Sequence, residues 1–256
     1  MEATAARVQK RSDAWLGDLR EKKWIGFDLD DTLHDFRRSA GIATSQILEE
    51  ISLRYEISVT ALKEEYSRIL RETNTNAFSD GKTSQDYRRE RFTSLLARFS
   101  VPYNEEFMDE LLESYETTLI SSLTLKEGAL DLLSTLKELG KKIVIITEGP
   151  QDAQERTVKA LGIDEHTDSL ATTNHFRVSK VDGLFSRVLE HLGISARDMA
   201  YIGDSEERDM KPAMAEGIFC VHFDETREAA WNSSPPRIHS LKDLLDLPLN
   251  TTSSQA

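Results

Sequence analysis

Residues 24–36 read WIGFDLDDTLHDF, a short apolar run that breaks into three aspartates, Asp28, Asp30 and Asp31. The apolar residues predict a buried strand, and the aspartates follow where that strand ends. Carboxylates held together repel each other, at a cost on the order of 4 kcal/mol for one pair ~4 Å apart near a protein surface. The cluster is therefore expected either to hold something positive or to be solvated.

The composition is that of an ordinary globular protein, with 39% hydrophobic and 30% charged residues in a chain of 256. Its formal net charge of −13 argues against a nucleic acid polymer or an anionic membrane surface as a partner, because both need a cationic face. Small anionic substrates stay possible where positive charge is local. The sequence leaves the oligomeric state open.

A cytoplasmic location is expected from the cysteine content and from the absence of targeting signals. Cys220 is the single cysteine, which excludes an internal disulfide, and its apolar neighbours predict a core thiol. Residues 1–23 lack the apolar stretch of a signal peptide. Nothing later approaches the ~18 consecutive apolar residues of a transmembrane helix.

Short apolar runs recur along the chain and predict five strands, at residues 24–27, 143–146, 168–171, 199–202 and 218–223. Stretches with helical periodicity, such as residues 129–139 and 181–192, lie between most of them. Apolar strands that alternate with helices predict an α/β fold, a doubly wound parallel sheet covered on both faces. Glycines are expected to cap several helices at their carboxyl ends: Gly140, Gly162, Gly193 and Gly217.

Residues 37–125 interrupt this alternation, because they contain helical patterns and no convincing strand. They are predicted to form an all-helical cap domain inserted between the first two strands. The catalytic core would then comprise residues 1–36 and 126–256. A proline pair and a polar tail near the end predict a loop, a short closing helix and disorder from about residue 248.

Polar residues follow the predicted strands, and in an open parallel sheet ligands bind at the carboxyl ends of the strands. Aspartates and a threonine follow the first strand, a lysine precedes the helix after the third, and an aspartate pair follows the fourth. In chain order these residues are Asp28, Asp30, Asp31 and Thr32; Thr147, Glu148 and Gly149; Lys180; and Gly203, Asp204, Ser205 and Asp209.

This set resembles the motifs of the haloacid dehalogenase superfamily, in its magnesium-dependent phosphatase branch. The first motif, Asp-x-Asp-x-Thr, matches residues 28–32, and the later motifs match Thr147, Lys180 and residues 203–209. The predicted cap lies where this superfamily inserts one. In outline it is similar to the caps of pyrimidine nucleotidases and sialic acid phosphatases.

The resemblance implies phosphoryl transfer through an aspartyl-phosphate, with Asp28 as nucleophile and Asp30 as acid and base. The implied cofactor is Mg²⁺, which prefers oxygen ligands, and Asp28, Asp204 and the backbone carbonyl of Asp30 are expected to bind it. Asp209 would ligate the ion or orient one of its waters. Its alternative is a merely structural place in a charged first helical turn.

The substrate phosphate is expected to contact Lys180, the Thr147 hydroxyl and the backbone amides of Glu148 and Gly149. Many relatives carry Asn where this chain has Glu148, and a carboxylate there would repel a phosphate. Glu148 therefore either points away while its amide serves, or touches a hydroxyl of the substrate. The sequence SKVDGLF around Lys180 lacks the proline that often follows the lysine, which predicts an altered helix start rather than altered chemistry.

Other residues near the motifs have simpler interpretations. Asp31 is predicted to close a turn or cap a helix without a catalytic duty, and Thr32 to orient its neighbours through hydrogen bonds. Four histidines show no metal-ligand spacing and are assigned no site: His34, His175, His191 and His222.

In the predicted cap, Arg88 and Arg91 stand three residues apart on one helical face, with Tyr87 and Phe92 beside it. This face is either a solvated basic stretch or a grip for a second anionic group or a base of the substrate.

The motifs together predict a phosphomonoester hydrolase for a small phosphorylated metabolite of the nucleotide or sugar phosphate type. A phosphomutase on the same core would differ mainly in its cap, and a dehalogenase would not need the acid Asp30. A non-catalytic phosphate-binding protein would be expected to lack the nucleophile or the lysine, and both Asp28 and Lys180 are present.

Overall fold

A computed structural model describes residues 17–73, 78–228, 230 and 233–245. Within these ranges six strands form one sheet in the order β3-β2-β1-β4-β5-β6, and every neighbouring pair is parallel. The strands are β1 (Trp24–Phe27), β2 (Lys142–Thr147), β3 (Ser169–Thr172), β4 (Met199–Gly203), β5 (Phe219–Phe223) and β6 (Arg237–Ile238). Because all strands are parallel, their carboxyl ends meet at one edge, with β1 between β2 and β4.

Helices connect the strands and cover the sheet. The longer ones are α1 (Phe36–Tyr55), α2 (Val59–Thr73), α3 (Ser84–Arg98), α4 (Glu105–Ser122), α5 (Ala129–Glu138), α6 (Gln151–Ala160) and α8 (Phe185–Leu192). Short helices are α7 (Thr173–Phe176), α9 (Lys211–Ala215) and α10 (Lys242–Leu245), with 3-10 turns at Asp164–His166 and Ala196–Asp198. Two five-residue π-helical turns, Lys180–Leu184 and Glu206–Met210, precede α8 and α9.

The alternation of side chains along each strand places apolar residues on both faces of the sheet. In β2, Ile143 and Ile145 pack into the cluster that contains α5, whereas Val144 and Ile146 pack into the cluster that contains α8. The continuous apolar run of β2 is therefore explained by burial on both faces.

Helices α1 to α4, residues 36–122, form what we call the helical unit, which has a hydrophobic core of its own. Local signals fix where two of its helices begin. Thr83 and Asp86 form a reciprocal capping box at the start of α3, and the Asn104 side chain accepts the Phe107 amide at 2.8 Å at the start of α4.

The predicted α/β class is confirmed, and each of the five predicted strands is present within a residue or two of its expected bounds. The four predicted capping glycines all have positive φ, between 65° and 82°. Strand β6 was not predicted, because two residues are too short to show a periodicity. The predicted disorder from about residue 248 lies outside the described residues.

Two further expectations concern burial and membranes. The thiol of Cys220 lies in the sheet core, and burial raises its pKa to about 12, as expected of a core thiol. Among the described residues, every helix is too short or too polar to cross a membrane.

Candidate active site

A cavity of about 940 Å³ lies between the carboxyl edge of the sheet and the helical unit. The sheet side contributes motif residues that include Asp28, Thr147 and Lys180. The helical unit contributes residues that include Tyr66 and Arg91. The structure thus brings the predicted motifs, which are far apart in sequence, to one place.

Asp28, Lys180 and Asp209 form a buried ionic cluster at the floor of this cavity. The Lys180 ammonium donates to Asp28 Oδ1 at 2.5 Å and to Asp209 Oδ1 at 2.6 Å. The Asp28 amide donates to the Ile202 carbonyl at 2.9 Å, which fixes the aspartate at the junction of β1 and β4. Lys180 is therefore held by two carboxylates rather than solvated at the surface.

The electrostatics of this cluster favour a charged lysine. Burial raises the pKa of Asp28, whereas the Lys180 ammonium lowers it and the Asp209 carboxylate raises it again. Burial also disfavours the charged form of Lys180, but the carboxylates of Asp209 and Asp28 outweigh it and raise the lysine pKa above its usual range. Lys180 therefore remains an ammonium at neutral pH.

Asp209 is seated by residues on β4 and in the turn that follows. The Tyr201 hydroxyl donates to Asp209 Oδ1 at 2.9 Å, and the Ser205 amide donates to Oδ2 at 3.0 Å. Gly203 is required beside it, because a Cβ there would lie 2.7 Å from the Asp209 carboxyl carbon. Asp209 is thus buried in the site rather than exposed on a charged helical turn. Sequence analysis missed Tyr201, whose position inside an apolar strand hides its polar end.

Three carboxylates in the cavity have the chemistry of a metal site. One oxygen each from Asp28, Asp204 and Asp209 lies within 4.8 Å of the others. Burial and the charge of Asp209 raise the pKa of Asp204, and the His222 ring contacts the Asp204 carbonyl at 2.9 Å. Clustered carboxylate oxygens fit the preference of Mg²⁺ for hard ligands, and a divalent cation would relieve their repulsion.

The Thr147 hydroxyl is the clearest indication of a ligand at the end of β2. Its Oγ1 is buried, lines the cavity and has no hydrogen-bond partner in the described part of the chain. Buried polar groups are nearly always hydrogen-bonded, so this hydroxyl indicates a group that binds in the cavity.

Glu148 lines the cavity, and both oxygens of its carboxylate are engaged by protein groups. Its Oε1 accepts the backbone amide of Lys180 at 3.1 Å, and its Oε2 pairs with Arg208 at 3.2 Å. The carboxylate therefore fixes the turn that carries Lys180. That turn begins with Ser179, whose hydroxyl accepts the Asp182 amide, and forms a π-helical start without proline.

The prediction that the Gly149 amide binds phosphate is not supported by the structure. This amide donates instead to the Thr173 hydroxyl at 3.1 Å. Gly149 has a different steric reason to be glycine, because a Cβ there would lie 2.4 Å from the Gln154 amide nitrogen.

Asp30 lines the cavity, and its carboxylate contacts two side chains that sequence analysis left without a role. His34 Nε2 lies 2.9 Å from Asp30 Oδ1, and Gln154 Nε2 lies 3.3 Å from Oδ2. The expectation that His34 has no metal-ligand role is unaffected, but this histidine is part of the site. Its spacing of four residues from Asp30 was the available signal.

Asp31 and Thr32 occupy the structural positions expected of them. Asp31 has a φ of 64°, and its carboxylate accepts the Arg37 amide at 3.0 Å at the start of α1. Thr32 Oγ1 donates to Asp28 Oδ2 at 3.3 Å. Both residues shape the loop after β1.

The two arginines predicted to share a substrate-facing surface diverge. Arg91 lines the cavity, with its guanidinium 5.8 Å from the Phe78 ring centroid. Arg88 is buried, pairs with Glu116 and stacks on Tyr115 at 4.5 Å. The assignment of Arg88 to substrate binding is therefore withdrawn, because its guanidinium pairs with Glu116 inside the helical unit.

Residues 25–223 match the family Haloacid dehalogenase-like hydrolase. This match covers well over half of the chain, so the protein belongs to the haloacid dehalogenase-like hydrolases. The resemblance drawn from the four sequence motifs is confirmed.

The alignments with individual relatives span nearly the whole length of each relative. A glyceraldehyde 3-phosphate phosphatase from Methanocaldococcus jannaschii is 25% identical over 237 residues, 89% of this chain and 97% of that protein. The pyrimidine 5'-nucleotidase PynA from Streptococcus pneumoniae is 24% identical over 228 residues, 88% and 94% of the two chains. Among solved structures, the magnesium-bound HAD-hydrolase YfnB from Bacillus subtilis matches with a TM-score of 0.66 at 24% identity, covering 88% of this chain and 97% of that one.

Proposed function

We propose that the protein is a Mg²⁺-dependent phosphatase that hydrolyses the phosphomonoester of a small phosphorylated metabolite. The observation that carries this proposal is a convergence of three groups on one cavity. These are the buried carboxylate of Asp28, the ammonium of Lys180 and the hydroxyl of Thr147, which has no hydrogen-bond partner among the described residues. Together they offer a nucleophile and two donors for phosphate oxygens.

In this mechanism Asp28 attacks phosphorus and forms an aspartyl-phosphate. Lys180 and Thr147 hold the phosphoryl oxygens, on which charge is concentrated during transfer. Asp30 donates a proton to the departing oxygen and later takes one from the water that hydrolyses the intermediate.

The proposed Mg²⁺ site consists of Asp28, Asp204 and Asp209, with the backbone carbonyl of Asp30 as a further ligand. When bound, the ion neutralises carboxylate and phosphate charge so that an anionic nucleophile can approach an anionic ester. The cluster of three carboxylate oxygens supports this assignment.

Two features favour a phosphatase over the other reactions of this fold. A dehalogenase has no need of an acid at Asp30, whereas an ester oxygen leaves more easily when it is protonated. Two of the relatives described above are named as a glyceraldehyde 3-phosphate phosphatase and a pyrimidine 5'-nucleotidase. A phosphomutase remains the alternative on the same residues, and it would transfer the phosphoryl group rather than release it.

We further propose that the chain is divided into a catalytic core and a cap that corresponds to the helical unit. Arg91 is proposed to contact a part of the substrate remote from phosphorus, because it lines the cavity from the helical side. The cytoplasmic location inferred from the sequence stays a prediction.

A screen of phosphorylated metabolites tests the function, with released phosphate as readout and each ester assayed with and without Mg²⁺. Glyceraldehyde 3-phosphate and pyrimidine nucleoside 5'-monophosphates are the first esters to include, since relatives are named for them. Phosphate release that requires Mg²⁺ is the expected result. The proposal would be contradicted if no ester in the screen released phosphate, or if the phosphoryl group were transferred within the substrate.

A further inference from the structure

We propose that His34 and Gln154 are positioning residues, which hold the carboxyl group of Asp30 in the one orientation that serves both of its proton transfers. This inference rests on the proposed phosphatase function. His34 and Gln154 lie outside the four sequence motifs. They act through Asp30 rather than through the substrate.

The contacts are made to opposite oxygens of the same carboxyl group. His34 Nε2 lies 2.9 Å from Oδ1 of Asp30, and Gln154 Nε2 lies 3.3 Å from Oδ2. Two donors on two oxygens fix both the side-chain torsion and the plane of the carboxyl group. One lone pair on each oxygen is engaged in this way, which leaves the others for groups in the cavity that Asp30 lines.

His34 is held rigidly in the loop after β1. Its side chain is fully buried, and its ring packs edge-on against Phe36 with the centroids 6.0 Å apart. Its backbone carbonyl accepts the Asp31 amide at 2.8 Å. The other ring nitrogen, Nδ1, is buried without a partner in the described residues. Because an ionised carboxylate can only accept hydrogen bonds, the contact with Asp30 assigns a proton to Nε2 of His34.

Gln154 reaches Asp30 from α6, on a different part of the sheet edge. It is buried, and its amide nitrogen also lies 3.3 Å from the Glu148 carbonyl. The missing side chain of Gly149 leaves the space that this amide occupies. Gly149 thus acts on Asp30 indirectly, by leaving room for Gln154. This explains why a glycine is needed here although its amide donates to Thr173.

The chemistry explains why orientation matters at Asp30. As Asp28 forms its bond to phosphorus, the bond from phosphorus to the ester oxygen breaks, and Asp30 passes its proton to that oxygen. In the second step water attacks phosphorus, Asp30 takes one of its protons, and the bond between Asp28 and phosphorus breaks. A carboxyl group that rotates away between these steps would serve neither well, since proton transfer requires hydrogen-bond distance.

Two aryl phosphates of nearly equal shape test the proposal. Phenyl phosphate releases a poor leaving group that needs the proton of Asp30, whereas p-nitrophenyl phosphate releases one that departs without it. The variants His34→Leu and Gln154→Met each remove one donor. We expect kcat/KM for phenyl phosphate to fall roughly 10 to 100-fold, with less than ~3-fold loss for p-nitrophenyl phosphate.

Controls separate positioning from structural damage. His34→Gln places an amide nitrogen near the position of Nε2 and should restore most of the lost kcat/KM. His191→Leu makes the same change at an exposed histidine on α8 and should leave both esters unaffected. In an Asp30→Asn background, His34→Leu should add no further loss, because the group it positions is already gone.

Equal losses on both esters, no loss on either, or a full further loss in the Asp30→Asn background would overturn the inference. If His34→Leu does not fold, Gln154→Met carries the same comparison, since it replaces the amide by an apolar group of similar volume. A wild-type protein that releases phosphate from no ester would overturn the proposed function instead, and the two failures are therefore distinguishable.

Discussion

The ammonium of Lys180 lies 2.5 Å from Oδ1 of Asp28, although 152 residues separate the two in the chain. Lys180 comes from a π-helical turn after β3, and Asp28 from the end of β1. Their contact exists because parallel strands deliver both residues to the same edge of the sheet. In the proposed mechanism this contact places a positive charge where the anionic nucleophile meets the anionic phosphate.

Asp28→Asn should abolish turnover while leaving the fold intact, because the amide keeps the shape of the carboxylate but cannot attack phosphorus. We expect phosphate release to fall by at least ~10³-fold. Released phosphate and thermal melting, measured on the same preparation, check this. A variant that retains activity within tenfold of wild type would refute the assignment of Asp28 as nucleophile.

Activity should disappear on treatment with EDTA and return on addition of Mg²⁺. Ca²⁺ is expected to inhibit, because the larger ion favours more oxygen ligands at longer distances and would disturb the alignment of Asp28 with phosphorus. Titration of each ion against phosphate release is the measurement, and Asp204→Asn should raise the Mg²⁺ concentration that half-restores activity. Full activity in metal-free buffer would contradict the metal site.

The residues at the strand ends were predictable from sequence, because their chemistry is encoded in residue type and in position after an apolar run. Asp28, Thr147 and Lys180 each have such a residue type and position, and the parallel strands bring them to one edge of the sheet. The role of a group that depends on tertiary neighbours was not predictable in the same way. The Gly149 amide binds Thr173, a partner that the sequence of its own loop does not reveal.

The helical unit shows the same limit. Arg88 and Arg91 lie on a helix, Ser84–Arg98, as predicted, but their i, i+3 spacing does not settle which of them faces the cavity. The distinction depends on Glu116 and Tyr115 of α4, which lie beside Arg88. Strand β6 depends likewise on pairing with β5, since its two residues carry no pattern.

The two arginines should respond differently to replacement by Ala. Arg91→Ala is expected to lower kcat/KM for the physiological ester roughly 10 to 100-fold, the ~1.4 to 2.7 kcal/mol of a lost hydrogen bond to a charged group. The small ester p-nitrophenyl phosphate should be nearly unaffected, because it offers Arg91 nothing to contact. Equal losses on both esters would indicate damage to the helical unit instead.

Arg88→Ala is the matched variant one turn away on α3. It removes a buried partner of Glu116, which keeps its contact with Arg156 at 2.7 Å, so we expect about 1–3 kcal/mol of lost stability. Thermal melting should reveal this loss, while kcat/KM changes little for either ester. A selective loss of activity on the physiological ester would return Arg88 to the substrate-binding role from which the structure removes it.

Asp168 provides a pH-dependent test of the sheet edge, away from the active site. It lies just before β3, where Lys137 and Lys142 contact its two oxygens at 2.7 and 2.8 Å, and the Ile143 amide donates to it at 2.8 Å. Burial alone would raise its pKa, but these donors outweigh burial and hold the pKa at about 2.

The pKa of Asp168 is lower in the folded chain, about 2, than in the unfolded chain, near 3.9. Its carboxylate therefore stabilises the fold at pH values above the unfolded pKa. This contribution is lost as the pH falls toward the folded pKa. Asp168→Asn removes the charge, so the variant should melt below wild type at pH 7. Solvent screens these ion pairs, and we therefore expect on the order of 1 kcal/mol, or roughly 2–4 °C in Tm. The difference should narrow as the pH falls from about 5 toward about 2, because Asp168 of the unfolded wild-type chain takes up a proton in this range while the folded carboxylate resists it, which favours the unfolded state. Urea unfolding of both proteins across this range measures it, and a gap that is constant or widens toward acid would show that the carboxylate is not stabilised by its lysine partners.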